Sequence, residues 1–235
     1  MRRLVVVKRS GGDWDSVGIN HKTLHVIAYS WHNKLLARTK GLEHIPRTGG
    51  FLFAGNHTSW WDPILMSATM ERPVHYLAKH TVGGNAFSKW FFFQSGGAIP
   101  VDRNAKNPEA YQAAIAALRA GQIVGIFPEG TRYVGQLGPA KTGVARMALE
   151  SGVPVVPAAF ATDKFWPPGK KVPDLRETAY VNVGAPRTFQ GDPHDSDLAR
   201  KVTDDIMGDI ARLLDEAKAA RDRKEKWPRV RGIMK

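Results

Sequence analysis

Between Asn56 and Asp62 the chain reads NHTSWWD, an imidazole and a carboxylate five residues apart with two small hydroxyl residues and two tryptophans between them. A histidine held by a carboxylate is a general base fixed in one tautomer, able to take a proton from a hydroxyl. On one continuous helix the two side chains would point roughly 140° apart. A turn through Thr58 and Ser59 removes that obstacle and lets Asp62 come back to the ring of His57. The competing reading of Asp62 is a helix N-cap, because Pro63 follows it at what would be the first helical position. His-x4-Asp alone is a weak pattern. Its meaning depends on what the rest of the chain brings to the same place.

His57 follows FLFAG (51–55), which reads as a buried strand. It therefore stands at a strand's carboxyl end, where open α/β sheets keep their ligand crevices. Residues 63–70 predict a helix and 74–78 a strand. A second helix is predicted over 108–121, with Pro108 near its start and Gly121 after its end. Then come a strand at 122–127, a helix at 142–152, strands at 153–160 and 178–184, and a long helix from Asp197 to Ala220. Upstream, Leu4 to Val7 reads as a short strand. Lys22 to Arg38 carries Leu24, Ile27, Ala28, Trp31 and Leu35 at helical spacing, a face that packs on a core or lies in a membrane interface. Residues 163–174 form a Pro/Lys-rich loop. The rhythm predicts a single α/β domain with a largely parallel, mixed sheet flanked by helices. The chain divides into an N-terminal strand and amphipathic helix (1–40), a central domain (41–217) and a basic tail (218–235).

Composition narrows the chemistry. There is no cysteine, which excludes disulfides, thiolate metal sites and cysteine nucleophiles. The net charge of +12 points to anionic partners. From Lys218 onward eight Lys or Arg face only Asp222 and Glu225, a surplus of six and half of the total. That stretch is either a solvated terminus or a polybasic patch for an anionic membrane, and Trp227 and Ile233 within it favour the membrane. No run of about 18 apolar residues predicts a transmembrane helix. The apolar part of MRRLVVVKRSGG is too short for a signal peptide, so the protein is expected to stay in the cytosol. His21 and His25 lie at i, i+4 without a third ligand in view, so no metal site is expected.

Three further stretches join NHTSWWD. GAIPVDR (97–103) ends on Arg103, FPEGTR (127–132) follows a buried strand, and VPVVP (153–157) opens a proline-punctuated one. In this order they resemble the four signature blocks of the glycerolipid acyltransferase family, which includes the 1-acyl-glycerol-3-phosphate acyltransferases. The resemblance covers about residues 40 to 160. It implies that family's α/β fold. It also implies His57 as base with Asp62 orienting it, and a substrate site of Arg103, Glu129, Gly130, Thr131, Arg132 and Lys141. Arginine forks suit a phosphate, Glu129 can accept a bond from a glycerol hydroxyl, and Gly130 lets a ligand approach the backbone. Ala140 and Pro100 depart from the family's usual residues.

The activity so implied is transfer of an acyl group from a thioester donor, acyl-CoA or acyl carrier protein, to the free hydroxyl of a lysophospholipid, with phosphatidic acid as product. The donor is a co-substrate, and no cofactor is expected. Trp60, Trp61, Trp90, Phe91, Phe92, Phe93 and Trp31 are either core aromatics or an acyl groove and membrane contact. The expected location is the cytoplasmic face of the membrane, peripheral or monotopic. Two rivals remain: a transacylase or acyltransferase for another lysophospholipid or glycolipid, and a non-enzymatic basic protein that binds membranes or nucleic acid. The second lacks a helix-turn-helix, zinc-finger or aromatic-sheet signature.

Overall fold

A computed structural model describes residues 37–59, 61–79, 98–101, 108–165, 174 and 176–228. The predicted strand at Leu4–Val7, the His21/His25 pair, residues 22–36 of the first predicted helix and most of the 163–174 loop lie outside them.

Seven strands form one sheet among the described residues: β1 (Ala37–Lys40), β2 (Phe51–Gly55), β3 (Val74–Lys79), β4 (Ala98–Val101), β5 (Ile123–Ile126), β6 (Val155–Ala161) and β7 (Ala179–Val183). Their order is β1-β7-β6-β2-β5-β3-β4. All neighbours run parallel except β6 and β7. The helices are α1 (Asp62–Thr69), α2 (Pro108–Arg119), α3 (Gly143–Ser151) and α4 (Ser196–Asp222), with one 3₁₀ turn at Leu42–His44. This is the mixed, helix-flanked sheet that the sequence predicts.

Alternation along β2 explains how both faces are covered. Phe51 and Phe53 join Leu65, Met66, Met70 and Phe160 under α1. Leu52 and Ala54 face the other way, with Ile115 and Leu118 of α2, Val144 and Ala148 of α3, and Ile206 and Ile210 of α4. Burying each large apolar side chain contributes roughly 1.5–3 kcal/mol, so β2 is anchored on both sides. α1 lies very close to the sheet at Gly125, where a β-carbon would stand 2.7 Å from Met66 Sδ and 2.8 Å from Tyr76 Cε1. The Tyr76 hydroxyl also donates to the Pro63 carbonyl at 2.9 Å. The first turn of α1, which carries Asp62, is thus held against β3 and β5.

Two elements differ from the sequence reading. Ala37 and Arg38, predicted as the end of a helix, belong to β1, which pairs residue for residue with Ala179–Asn182. Sheet pairing there overrides the helical spacing. Residues 98–101, read only as part of a motif, form edge strand β4, and an edge position is where Pro100 can be accommodated.

The basic stretch from Lys218 begins inside α4, which continues to Asp222. Arg221 is buried and paired with Asp163. Lys218 Nζ donates to the Gly135 carbonyl at 2.7 Å. Beyond the helix, Trp227 packs edge-on to Tyr180 with centroids 5.5 Å apart, and Lys40 lies 5.6 Å over its ring. The Thr39 N–H donates to Pro228 O at 2.9 Å, so this segment covers the outer edge of β1. Up to Pro228 the stretch is part of the folded body. The rest of the tail lies outside the described residues.

Candidate active site

β2 ends at Gly55 and α1 starts at Asp62, so the loop between them has to turn within a few residues. His57 Nδ1 lies 3.1 Å from Asp62 Oδ2. That oxygen also accepts the backbone N–H of Thr58 at 2.6 Å and of Ser59 at 2.7 Å. Oδ1 accepts the hydroxyls of Ser59 at 2.8 Å and Thr162 at 2.7 Å. Asp62 is fully buried, where a carboxylate is tolerable only because so many donors meet it. It does not cap α1. Its carboxylate turns back on the preceding loop, and the helix start has no side-chain cap. An ionised carboxylate only accepts, so Nδ1 of His57 carries the hydrogen, and in the neutral ring Nε2 keeps its lone pair. The His57 side chain retains 14 % exposure.

The segment after β5 holds His57 from the other side. Phe127 stacks on the imidazole with centroids 4.3 Å apart and planes 18° off parallel. Glu129 Oε1 accepts the backbone N–H of His57 at 2.7 Å, and its Oε2 accepts that of Gly138, also at 2.7 Å. The Tyr133 N–H donates to the His57 carbonyl at 2.8 Å. Both backbone polar groups of His57 are therefore satisfied by one loop. Glu129, expected to meet an acceptor hydroxyl, gives each of its oxygens to a backbone N–H. Burial pushes its carboxyl above the usual glutamate range. The bonds from His57 and Gly138 oppose that rise, as a protonated His57 would, and nearby Asp62 adds to it.

Cations lie on the same loop. Thr131 and Arg132 are exposed, directly before the residue bonded to His57. Lys141 is exposed at the loop's far end, where its N–H donates to Pro128 O at 2.9 Å. Its stem runs beside Gly130: a β-carbon there would lie 3.5 Å from Lys141 Cε, and φ at that glycine is +65°. The structure thus gathers His57, Asp62, Glu129, Gly130, Thr131, Arg132 and Lys141 at the carboxyl ends of β2 and β5. Trp61 is half-buried against the core beside Phe165. Arg103, Trp60, Trp90, Phe91, Phe92, Phe93 and Trp31 lie outside the described residues.

Sequence reasoning gave no role to several residues that shape this site. Asn56 donates to Phe160 O at 3.1 Å and accepts the Phe160 N–H at 2.7 Å, fixing the loop to β6. Phe127, Tyr133 and Thr162 also went unassigned, and Ser59 was read only as part of the turn. For Ser59 a signal exists, since small hydroxyl residues before an aspartate favour such a turn. Nothing local marks Thr162.

The family model described as Acyltransferase matches residues 37–161, just over half of the chain. The chain belongs to the acyltransferase family. Among curated relatives of this acyltransferase is the 1-acyl-sn-glycerol-3-phosphate acyltransferase of Bacillus subtilis. It is 36 % identical over 121 residues, which are 50 % of this chain and 59 % of the relative. The Borreliella burgdorferi protein of the same name is 32 % identical over 129 residues, 54 % of this chain and 52 % of the relative. The chain spans about half the length of these relatives. The solved 1-acyl-sn-glycerophosphate acyltransferase PlsC from Thermotoga maritima superimposes with a TM-score of 0.67 at 22 % identity, over 84 % of this chain and 79 % of that one. Its fold is the same.

Proposed function

We propose that this acyltransferase moves a fatty acyl group from a thioester donor, acyl-CoA or acyl carrier protein, to the free hydroxyl of 1-acyl-glycerol-3-phosphate, giving phosphatidic acid. The observation that carries this reading is the 3.1 Å contact of His57 Nδ1 with buried Asp62, which leaves Nε2 free to act as base. Nε2 takes the hydroxyl proton as the oxygen attacks the thioester carbonyl. The tetrahedral adduct collapses, the C–S bond breaks, and the imidazolium returns its proton to the departing thiolate. No acyl-enzyme forms on this route. Arg132 and Lys141, with Arg103, bind the acceptor's phosphate. Glu129 and Tyr133 hold the base in place.

The acceptor resides in a bilayer, so the reading puts the protein peripherally on the cytoplasmic face of the membrane. No described helix is long and apolar enough to cross one. Attraction to anionic lipid is supported by Lys224 and Lys226, exposed beyond α4, and by the cations that follow them in sequence. The test is a panel of lysophospholipid acceptors and thioester donors given to the purified protein in vesicles, with product identified by mass. Phosphatidic acid as the main product supports the reading. Turnover only with lysolipids of another headgroup overturns the acceptor.

A further inference from the structure

Thr162 stands one residue beyond β6, outside the four motif blocks, and is completely buried. Its hydroxyl donates to Asp62 Oδ1 at 2.7 Å across 100 residues of chain. Among the described residues every other bond to that carboxylate comes from Asp62's own loop: His57, Thr58 and Ser59. Thr162 is therefore what ties the carboxylate to the sheet. The strand's period strengthens the point, because residues two apart face the same way. Phe160, two residues earlier, packs against Phe127, which stacks on His57. The end of β6 thus supports the imidazole through one residue and the carboxylate through the next on the same face.

We propose that Thr162 is a positioning residue for the His57–Asp62 pair, acting on the reaction only through Asp62. The proposal rests on the base role given to His57 above. A hydroxyl bond to a charged acceptor is among the stronger ones in a protein, and it holds Oδ1 so that Oδ2 faces Nδ1. Losing it leaves Oδ1 with Ser59 alone. The carboxylate then turns more freely, and its charge is less satisfied by donors, so it stabilises the imidazolium more strongly.

The test compares Thr162→Val, Thr162→Ala and Thr162→Ser, with kcat, acceptor KM and the pH profile of kcat/KM measured on folded protein. Valine keeps the shape and loses the hydroxyl. We expect kcat to fall about tenfold, the equivalent of one hydrogen bond. Acceptor KM should stay within about twofold, and the acid limb should move to higher pH. Serine should restore rate and profile, whereas alanine should behave like valine and carries the test if valine does not fold. Valine and alanine variants with wild-type rates and an unmoved acid limb, or a serine variant as poor as alanine, overturn the proposal. Were His57→Ala to keep its activity, the base role would fail and this proposal with it, whereas unaffected Thr162 variants beside an inactive His57→Ala overturn this proposal alone.

Discussion

Replacing Glu129 by glutamine separates two roles that its motif alone leaves joined. In the structure both carboxylate oxygens accept backbone N–H groups at 2.7 Å, one from His57 and one from Gly138. Glutamine supplies one acceptor and turns an NH2 toward the other donor. One buried bond to a charged group is lost, about 1.5–3 kcal/mol, and one N–H is left facing another. Part of that cost is offset because the neutral amide escapes the burial that raises the Glu129 carboxyl. The net loss of stability should be about 1–2 kcal/mol. Turnover should suffer more, because misplacing a catalytic group by about 1 Å costs on the order of 10²-fold. Steady-state kinetics with the acceptor varied at saturating donor should show kcat down about 10–100-fold and acceptor KM changed less than about threefold. The acidity of Glu129 adds a second readout. A raised folded-state pKa means that the native protein holds this proton more tightly than the unfolded chain does. The stability it contributes is fully present below the unfolded value and is lost as pH rises through the folded one. Glu129→Gln should flatten that part of the stability profile. A variant with wild-type kcat and a tenfold higher acceptor KM would refute the reasoning and make Glu129 an acceptor ligand.

Three further predictions concern the cationic groups. Arg132→Lys keeps the charge and loses the planar fork, so acceptor KM should rise about three- to tenfold with donor KM nearly unchanged, and equal damage to both would deny Arg132 a phosphate. Deleting residues 229–235 removes Arg229, Arg231 and Lys235, and at roughly 1 kcal/mol each it should weaken co-sedimentation with anionic vesicles by on the order of 10²-fold at low salt. Deletion from Lys218 should also lower the melting temperature, because it removes the last turn of α4, the buried Arg221 pair and the Trp227 packing.

Long-range geometry divides what the sequence shows from what it hides. The unbroken apolar runs FLFAG and VPVVPAAF, and the helix between Pro108 and Gly121, were legible because each depends on neighbours in the chain. The ends of the sheet were not. Ala37 and Arg38 continue a helical spacing, yet they pair with Ala179 and Tyr180, a contact 142 residues away that no local pattern announces. The site shows the same division. His57 and Asp62 can be matched by type and spacing, and their turn can be inferred from Thr58 and Ser59. Thr162 and Asn56 act only once β6 has docked beside β2, and their chemistry, a hydroxyl and an amide, is common in any sequence. Lys218 and Trp227 sit in a basic stretch that charge alone assigns to solvent or membrane. Their partners, Gly135 and Tyr180, lie on remote parts of the chain.

The most direct test of the central claim is free-thiol release by the purified protein given acyl-CoA and 1-acyl-glycerol-3-phosphate, with His57→Ala beside the native sequence. His57 makes its side-chain bond to Asp62 and stacks on Phe127, while its backbone bonds to Glu129 and Tyr133 survive the substitution. The variant should therefore stay folded. The native protein should release thiol in step with phosphatidic acid, and His57→Ala should be slower by about 10²–10⁴ at an unchanged far-ultraviolet spectrum. A folded His57→Ala protein that releases thiol at the native rate would contradict the account.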